Sequence, residues 1–334
     1  METLITCKEG YEKILANEAA LYHGKLQTKG RGWIIEQWDG DLPQDLCFAY
    51  HILKNPLEVS AVSVNDLSEK LLDLFTSHVK EKRIVEPWPL LFFSCDNELL
   101  IHRAKTVEKN WLDKLQKKMS RVAKLSQKGF SDSSKWAEGF FVHLIDFTQA
   151  LVSFEALGAR QQRMQMDPQA PSRSYLKIEE AFHIFGCEPG KNDTVIDLGA
   201  APGGWSHSAL KRGASVIAID NGPLKGPVAS HPKISHLKVD AFKYKYNRSQ
   251  PTNWLLCDIL EKPEVVLELL DEWLRRQWCR RFIVNLKVGR TDPILLLKNI
   301  RDPRKGIASY CTLLHVKQLY HDREEITLMG KVKG

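Results

Sequence analysis

The stretch Thr194-Val-Ile-Asp-Leu-Gly-Ala-Ala-Pro-Gly-Gly-Trp205 decides the fold. Residues 194–198 are short, β-branched and apolar, which predicts a buried strand. Residues 199–204 predict a tight loop, and 205–211 the first turns of a helix. Strand, glycine-rich turn and helix in this order open a doubly wound α/β sheet, where a nucleotide-like ligand meets the strand's C-terminal end. The spacing is not the dinucleotide fingerprint GxGxxG. It is Gly199-x-x-x-Gly203-Gly204 with Pro202 inside, and a proline offers no N–H to a phosphate. A loop of this kind curls instead under an amino acid and a ribose, the two ends of S-adenosylmethionine (SAM).

The chain around this loop is regular. A helix is expected over 173–185, carrying Lys177. Strands follow at 214–219, 234–239, 253–257 and 281–286, with helices at 263–277 and about 293–300. Two last strands, 311–320 and 324–331, flank Tyr320-His-Asp-Arg323 and predict an antiparallel hairpin at the sheet's edge. Four successive strands end in a charged residue: Asp220, Asp240, Asp258 and Lys287. Strand C-termini are where this architecture gathers its ligand. An acid about twenty residues past Gly199 is placed to accept from both ribose hydroxyls, and Asp240 could take the adenine's amine. Methyl transfer from a sulfonium needs mainly a positioned acceptor and a base. A lysine serves as base when a second cation disfavours its charged form. Lys177 and Lys287 are the candidate pair, with Asp258 to orient the ammonium and Glu325 to place the second lysine.

Composition frames these readings. The 334 residues suit two or three domains, and no apolar run is long enough to span a bilayer. Seven scattered cysteines, never spaced CxxC, argue for a reducing cytosol and against a zinc cluster. The net charge of +7 is uneven: residues 1–160 carry 21 Lys/Arg and 22 Asp/Glu, the remainder 27 and 19. Residues 103–128 nevertheless hold nine basic and two acidic side chains, a local surface suited to a polyanion such as RNA. Segment 155–174, polar and with two prolines, reads as a linker. Before it, strand 2–7, helix 11–22 and strand 32–37 form one α/β unit. Helices at 66–80 and 103–126 with strands at 90–95, 140–147 and 149–154 form another. In helix 103–126, Trp111, Leu115, Met119 and Val122 make an apolar stripe among lysines that would bind phosphates without reading sequence.

"DLGAAPGGW" (197–205), the lysine of "SRSYLKIEEAF" (172–182), Asp258, Lys287 and the hairpin glutamate resemble the FtsJ/RrmJ family of RNA ribose 2′-O-methyltransferases. "AIDNGP" (218–223), "DAFKY" (240–244), "CDILEKP" (257–263), "NLK" (285–287) and "QLYHDREEITL" (318–328) are similar to a branch that methylates a cytidine ribose in 23S rRNA. "GYEKILANEA" (10–19) is similar to that branch's opening. The resemblance implies a Rossmann-like SAM-dependent methyltransferase sheet over 161–334. It also implies a preceding α+β RNA-binding region, with a ferredoxin-like extension at 1–60 and a THUMP-like domain at 61–160. It implies a Lys-Asp-Lys-Glu tetrad of Lys177, Asp258, Lys287 and Glu325, with Lys287 as proton acceptor and Glu324 as the other choice of glutamate. It implies that SAM is held by Ser174, by the loop Gly199, Ala201, Pro202, Gly203, Gly204 and Trp205, and by Asp220, Asp240 and Asp258. No metal, membrane or obligatory protein partner is expected; the expected partner is RNA in the cytoplasm.

Other chemistries fit less well. Amino-directed methyltransferases put [DN]PP[YF] after the fourth strand, where this chain has Asp258-Ile-Leu-Glu. A cytosine C5-methyltransferase needs a nucleophilic cysteine, and Cys257 reads as core. The loop spacing disfavours an NAD oxidoreductase. A non-catalytic RNA-binding or ribosome-assembly factor on the same fold would not need the intact lysines and acids.

Overall fold

The structure is a computed structural model that describes residues 1–43, 45–95, 97–130, 135–158 and 161–334. The chain forms two compact units, Met1–Arg160 and Gln161–Gly334. Ala159 and Arg160, inside the expected linker, lie outside the described residues.

The first unit runs β1 (Glu2–Thr6), α1 (Glu12–Ala20), β2 (Gly24–Gly30), β3 (Trp33–Trp38), β4 (His51–Lys54), β5 (Leu57–Ser60) and α2 (Val64–Val79). It continues with β6 (Trp88–Phe93), α3 (Glu98–Lys118), α4 (Ser120–Lys124), β7 (Ser126–Lys128), β8 (Ala137–Leu144) and β9 (Gln149–Gly158). Among the described residues all nine strands join one sheet in the order β2-β3-β1-β4-β9-β8-β6-β7, with β5 also on β9. Two expectations need correction. The linker cannot begin at 155, because Ala156 to Gly158 pair with β4, a strand whose four residues were too short to read as one. The helix expected over 103–126 is two helices. Its start is earlier because Asn97 Oδ1 accepts from Leu99 N and Leu100 N, a side-chain cap the reading passed over. It breaks at Met119 (φ −144°, ψ 62°). The apolar stripe does pack: Trp111 and Leu115 are fully buried, and Trp111 stacks on Phe140 with ring centroids 4.9 Å apart. The lysines divide. Lys114 pairs with Glu69 at 2.9 Å and Lys118 with Asp73 at 3.4 Å, both on α2, so part of the basic face is neutralised at home.

The second unit contains α5 (Tyr175–Phe185), β10 (Thr194–Leu198), α6 (Gly204–Lys211), β11 (Ser215–Ile219), β12 (Ile234–Leu237) and β13 (Thr252–Cys257). It ends with α7 (Pro263–Arg275), β14 (Cys279–Lys287), α8 (Pro293–Arg301), β15 (Cys311–Lys317) and β16 (Glu325–Val332). The sheet order is β12-β11-β10-β13-β14-β16-β15. Strands β10 to β14 are parallel, and β16 runs antiparallel between β14 and β15. The expected edge hairpin is therefore present. Order reverses at β10, where β11 leaves to one side and β13 to the other, and such a switch point opens a crevice at the strand ends. One face of the sheet packs on α5 and α6 through Ile178, Phe182, Trp205, Val195 and Trp254, all buried. Phe182 and Phe185 meet Trp254 edge-on at 5.6 and 6.0 Å. The core thus fixes α5, and with it Lys177, against the strand that ends at Asp258.

Candidate active site

Three strands deliver charged groups to one point. Asp258 follows β13 and Lys287 ends β14, two parallel neighbours. The antiparallel register of β14 and β16 sets Lys287 directly opposite Glu325. Cross-strand partners lie close enough for side chains to interact, and α5 brings Lys177 over both acids. Lys287 Nζ lies 2.5 Å from Asp258 Oδ1 and 3.1 Å from Glu325 Oε1. Lys177 Nζ lies 2.7 Å from Glu325 Oε2 and 3.4 Å from Asp258 Oδ1. Each carboxylate thus serves both lysines. The four side chains are only 13–17 % exposed, so they are largely screened from bulk water. Glu324 is exposed, and its backbone carbonyl accepts from Val288 N.

Charge pairing outweighs burial here. Burial opposes an ammonium at Lys177, but Asp258 and Glu325 raise its pKa above the usual lysine range. Burial likewise opposes ionisation of Glu325, and the two lysines hold its pKa below normal. The site therefore keeps a standing cation at Lys177.

A second row of residues escaped the sequence reading. Asn285 Oδ1 accepts from Lys287 Nζ at 2.6 Å, while Asn285 Nδ2 donates to Asp322 Oδ1 and to Thr327 Oγ1, each at 2.9 Å. Asn285, Asp322 and Thr327 are buried. Burial pushes the Asp322 carboxyl up to about 7, against the pull of Lys177. The signal was available: Asn285 sits two residues before Lys287 on a strand, hence on the same face, and a fully buried amide needs a polar reason.

The residues expected to hold the cofactor gather around the loop between β10 and α6. Gly199 has φ +74°, and a Cβ there would stand 2.5 Å from Ile259 Cγ1, so only glycine serves. A Cβ on Gly204 would stand 2.3 Å from Ser172 Oγ and 2.7 Å from Ser174 Oγ. This close approach makes a backbone cradle floored by two serine hydroxyls, which bond one another at 2.8 Å. Trp205 Nε1 donates to the Ser174 carbonyl, tying the cradle to α5. Asp220 Oδ2 accepts from Ala201 N at 3.0 Å and Oδ1 from Gly222 N at 2.7 Å. It therefore clamps the loop at the end of β11. Asp240, half-buried after β12, caps its own turn by accepting from Phe242 N. Glycine cradle, serines and acids at strand ends fit the amino acid and ribose ends of SAM. Cys257 is buried, which pushes its thiol up to about 12; it is a core residue, not a nucleophile.

Comparison with known proteins gives the family. Residues 170–291 match the family model described as FtsJ-like methyltransferase. Ribosomal RNA large subunit methyltransferase M from Marinomonas sp. (strain MWYL1) is 30 % identical over an alignment covering 99 % of each chain. The chain belongs to the ribosomal RNA large subunit methyltransferase M family. The protein of that name from Laribacter hongkongensis (strain HLHK9) is 42 % identical over 175 residues, 50 % of this chain and 49 % of that one. In that alignment the chain spans about half the relative's length. The METTL16 MTase domain aligns with 51 % of this chain and 71 % of its own at 14 % identity and a TM-score of 0.36. Among the described residues no helix is long and apolar enough to cross a membrane.

Proposed function

We propose that the chain catalyses SAM-dependent 2′-O-methylation of a ribose in RNA, at a cytidine of 23S rRNA, in the cytoplasm. The observation that carries this is the sharing of Asp258 and Glu325 by Lys177 and Lys287 at the crevice. Bound SAM supplies a methyl group already activated on a sulfonium. Gly203, Gly204, Ser174 and Asp220 would hold the donor. Lys287 takes the proton of the attacking 2′-hydroxyl as the new O–C bond forms and the S–C bond breaks. Asp258, Glu325 and Asn285 fix the direction of its nitrogen, which removes a rotational cost at the moment of reaction. Lys177, kept charged by the same two acids, holds the carboxylates in place. We also assign residues 1–60 to a ferredoxin-like extension and 61–160 to a THUMP-like RNA-binding domain. Lys105, Lys109, Lys117, Arg121 and Lys124, exposed along α3 and α4, are its phosphate-contacting side chains.

Ribose methylation mapped across the rRNA of cells with and without the gene tests the reading. One 23S cytidine should lose its 2′-O-methyl group in the deletion, and return with the wild-type gene. An unchanged methylation map would refute it. The donor assignment has its own check. Asp220→Ala removes an acceptor for two ribose hydroxyls and releases Ala201 N, so calorimetry should record SAM affinity falling about 100-fold. Tight binding of NAD with none of SAM by the wild type would sink the assignment.

A further inference from the structure

The three strands that deliver the tetrad have their other ends in a second concavity. Pro251 before β13, Cys279 at the start of β14 and Val332 at the end of β16 line a cavity of about 770 Å³. Eight residue steps of β14 separate Cys279 from Lys287, which at about 3.3 Å each puts this cavity roughly 26 Å from the reacting groups. Six cations line it: Arg248, Arg276, Arg280, Arg281, Lys331 and Lys333. Among the described residues no Asp or Glu side chain lines it. Among the described residues, Arg276 is the only one of the six in an ion pair, 3.7 Å from Glu272. Arg248, Arg280 and Lys331 are exposed. Tyr246 and Trp278 complete the wall, their rings 6.2 Å apart, with the Arg276 guanidinium 5.5 Å from the Trp278 ring.

Gathering six like charges around one concavity raises the energy of the folded chain through self-repulsion. A polyanion seated there relieves that repulsion, and flat aromatic walls suit a nucleic acid better than a small ion. We propose that this cleft is a second RNA-docking site that grips the phosphodiester backbone of the substrate RNA at a segment remote from the reacting ribose. The proposal rests on the RNA-substrate reading above. It makes the methyltransferase unit itself a two-ended RNA clamp, with chemistry at one end of the sheet and sequence-independent anchorage at the other.

The test uses the full chain and protein-free 23S rRNA transcribed in vitro. In the variant Arg248→Gln/Arg280→Gln/Lys331→Gln, SAM affinity and the single-turnover rate at saturating RNA should match wild type. RNA affinity near 0.1 M salt should fall roughly 100-fold. The log–log salt slope should become shallower by about 2, since each lost phosphate contact removes about 0.7. Arg248→Lys/Arg280→Lys should restore most of the affinity, because phosphate contacts need charge rather than a guanidinium. Unchanged RNA affinity and slope in the Gln variant overturns the proposal. So does a variant that keeps RNA binding but loses binding to polyglutamate, which would give the cleft to an acidic polypeptide. If the wild type transfers no methyl group to this RNA or to ribosomal particles, the functional reading fails instead, and the binding data judge the cleft separately.

Discussion

Lys287→Arg should bind SAM as wild type does and transfer methyl groups roughly 10²–10⁴-fold more slowly, the range that general-base help supplies. The substitution keeps a cation between Asp258 and Glu325, and a guanidinium can reach both carboxylates. It cannot release a proton at any usable pH, so it cannot accept one from the 2′-hydroxyl. Lys287→Ala should be equally slow, although it leaves the two acids with Lys177 as their partner. That pair of variants separates charge from proton transfer. Lys177 gives the contrast, because its proposed role needs charge alone. Lys177→Arg should therefore retain far more activity than Lys287→Arg. Single-turnover rates with SAM prebound make the measurement. Near wild-type transfer by Lys287→Arg would mean that only positive charge is needed at this position, and the base would have to be sought elsewhere.

The catalytic half was legible because its signals are local. The loop at 199–204 announces itself in six residues, and each strand of the parallel sheet is a short apolar run ending in a charge. Parallel strands of one sheet end at the same side, so Asp220, Asp240, Asp258 and Lys287 could be gathered without knowing any contact. Glu325 was different. Its place depends on the antiparallel register with β14, and a slip of one residue would have turned Glu324 inward instead. Asn285 was missed because a buried amide between Val284 and Leu286 reads as an ordinary strand residue until its partners on β16 and the preceding turn are seen. The N-terminal half was harder for a related reason. Its strands β4 and β5 are four residues each, and they gain their order from pairing with β9, about a hundred positions later. Short strands stabilised by distant partners leave little local pattern. The basic run of α3 showed the opposite failure: its lysines were legible, but their pairing with Glu69 and Asp73 on α2 was not.

Asp197 carries the largest expected effect on stability. It is the acid of β10, fully buried, and its Oδ2 accepts from Ser206 Oγ at 2.6 Å. Burial pushes its carboxyl from 3.8 up to about 7, with Asp258 and Asp220 adding to the rise against the Ser206 hydrogen bonds. The folded chain therefore holds the proton more tightly than the unfolded chain. Its contribution to stability is fully present below about pH 4 and is lost as pH rises to and through 7. At 1.36 kcal/mol per pKa unit, that loss is on the order of 2–4 kcal/mol by pH 8. Asp197→Asn is isosteric, keeps an oxygen for Ser206 and cannot ionise. Relative to wild type, its unfolding free energy should be close to neutral at pH 4.5 and higher by on the order of 2 kcal/mol or more at pH 8. Taking the difference removes Glu180 and Asp322, buried carboxyls whose raised pKa values slope the same way in both proteins. Urea titrations of the two proteins at pH 4.5, 6 and 8 give the three differences needed. A difference that stays constant across that range would mean that Asp197 is ionised in the fold, held so by charges around the loop, and the account of its burial would fail.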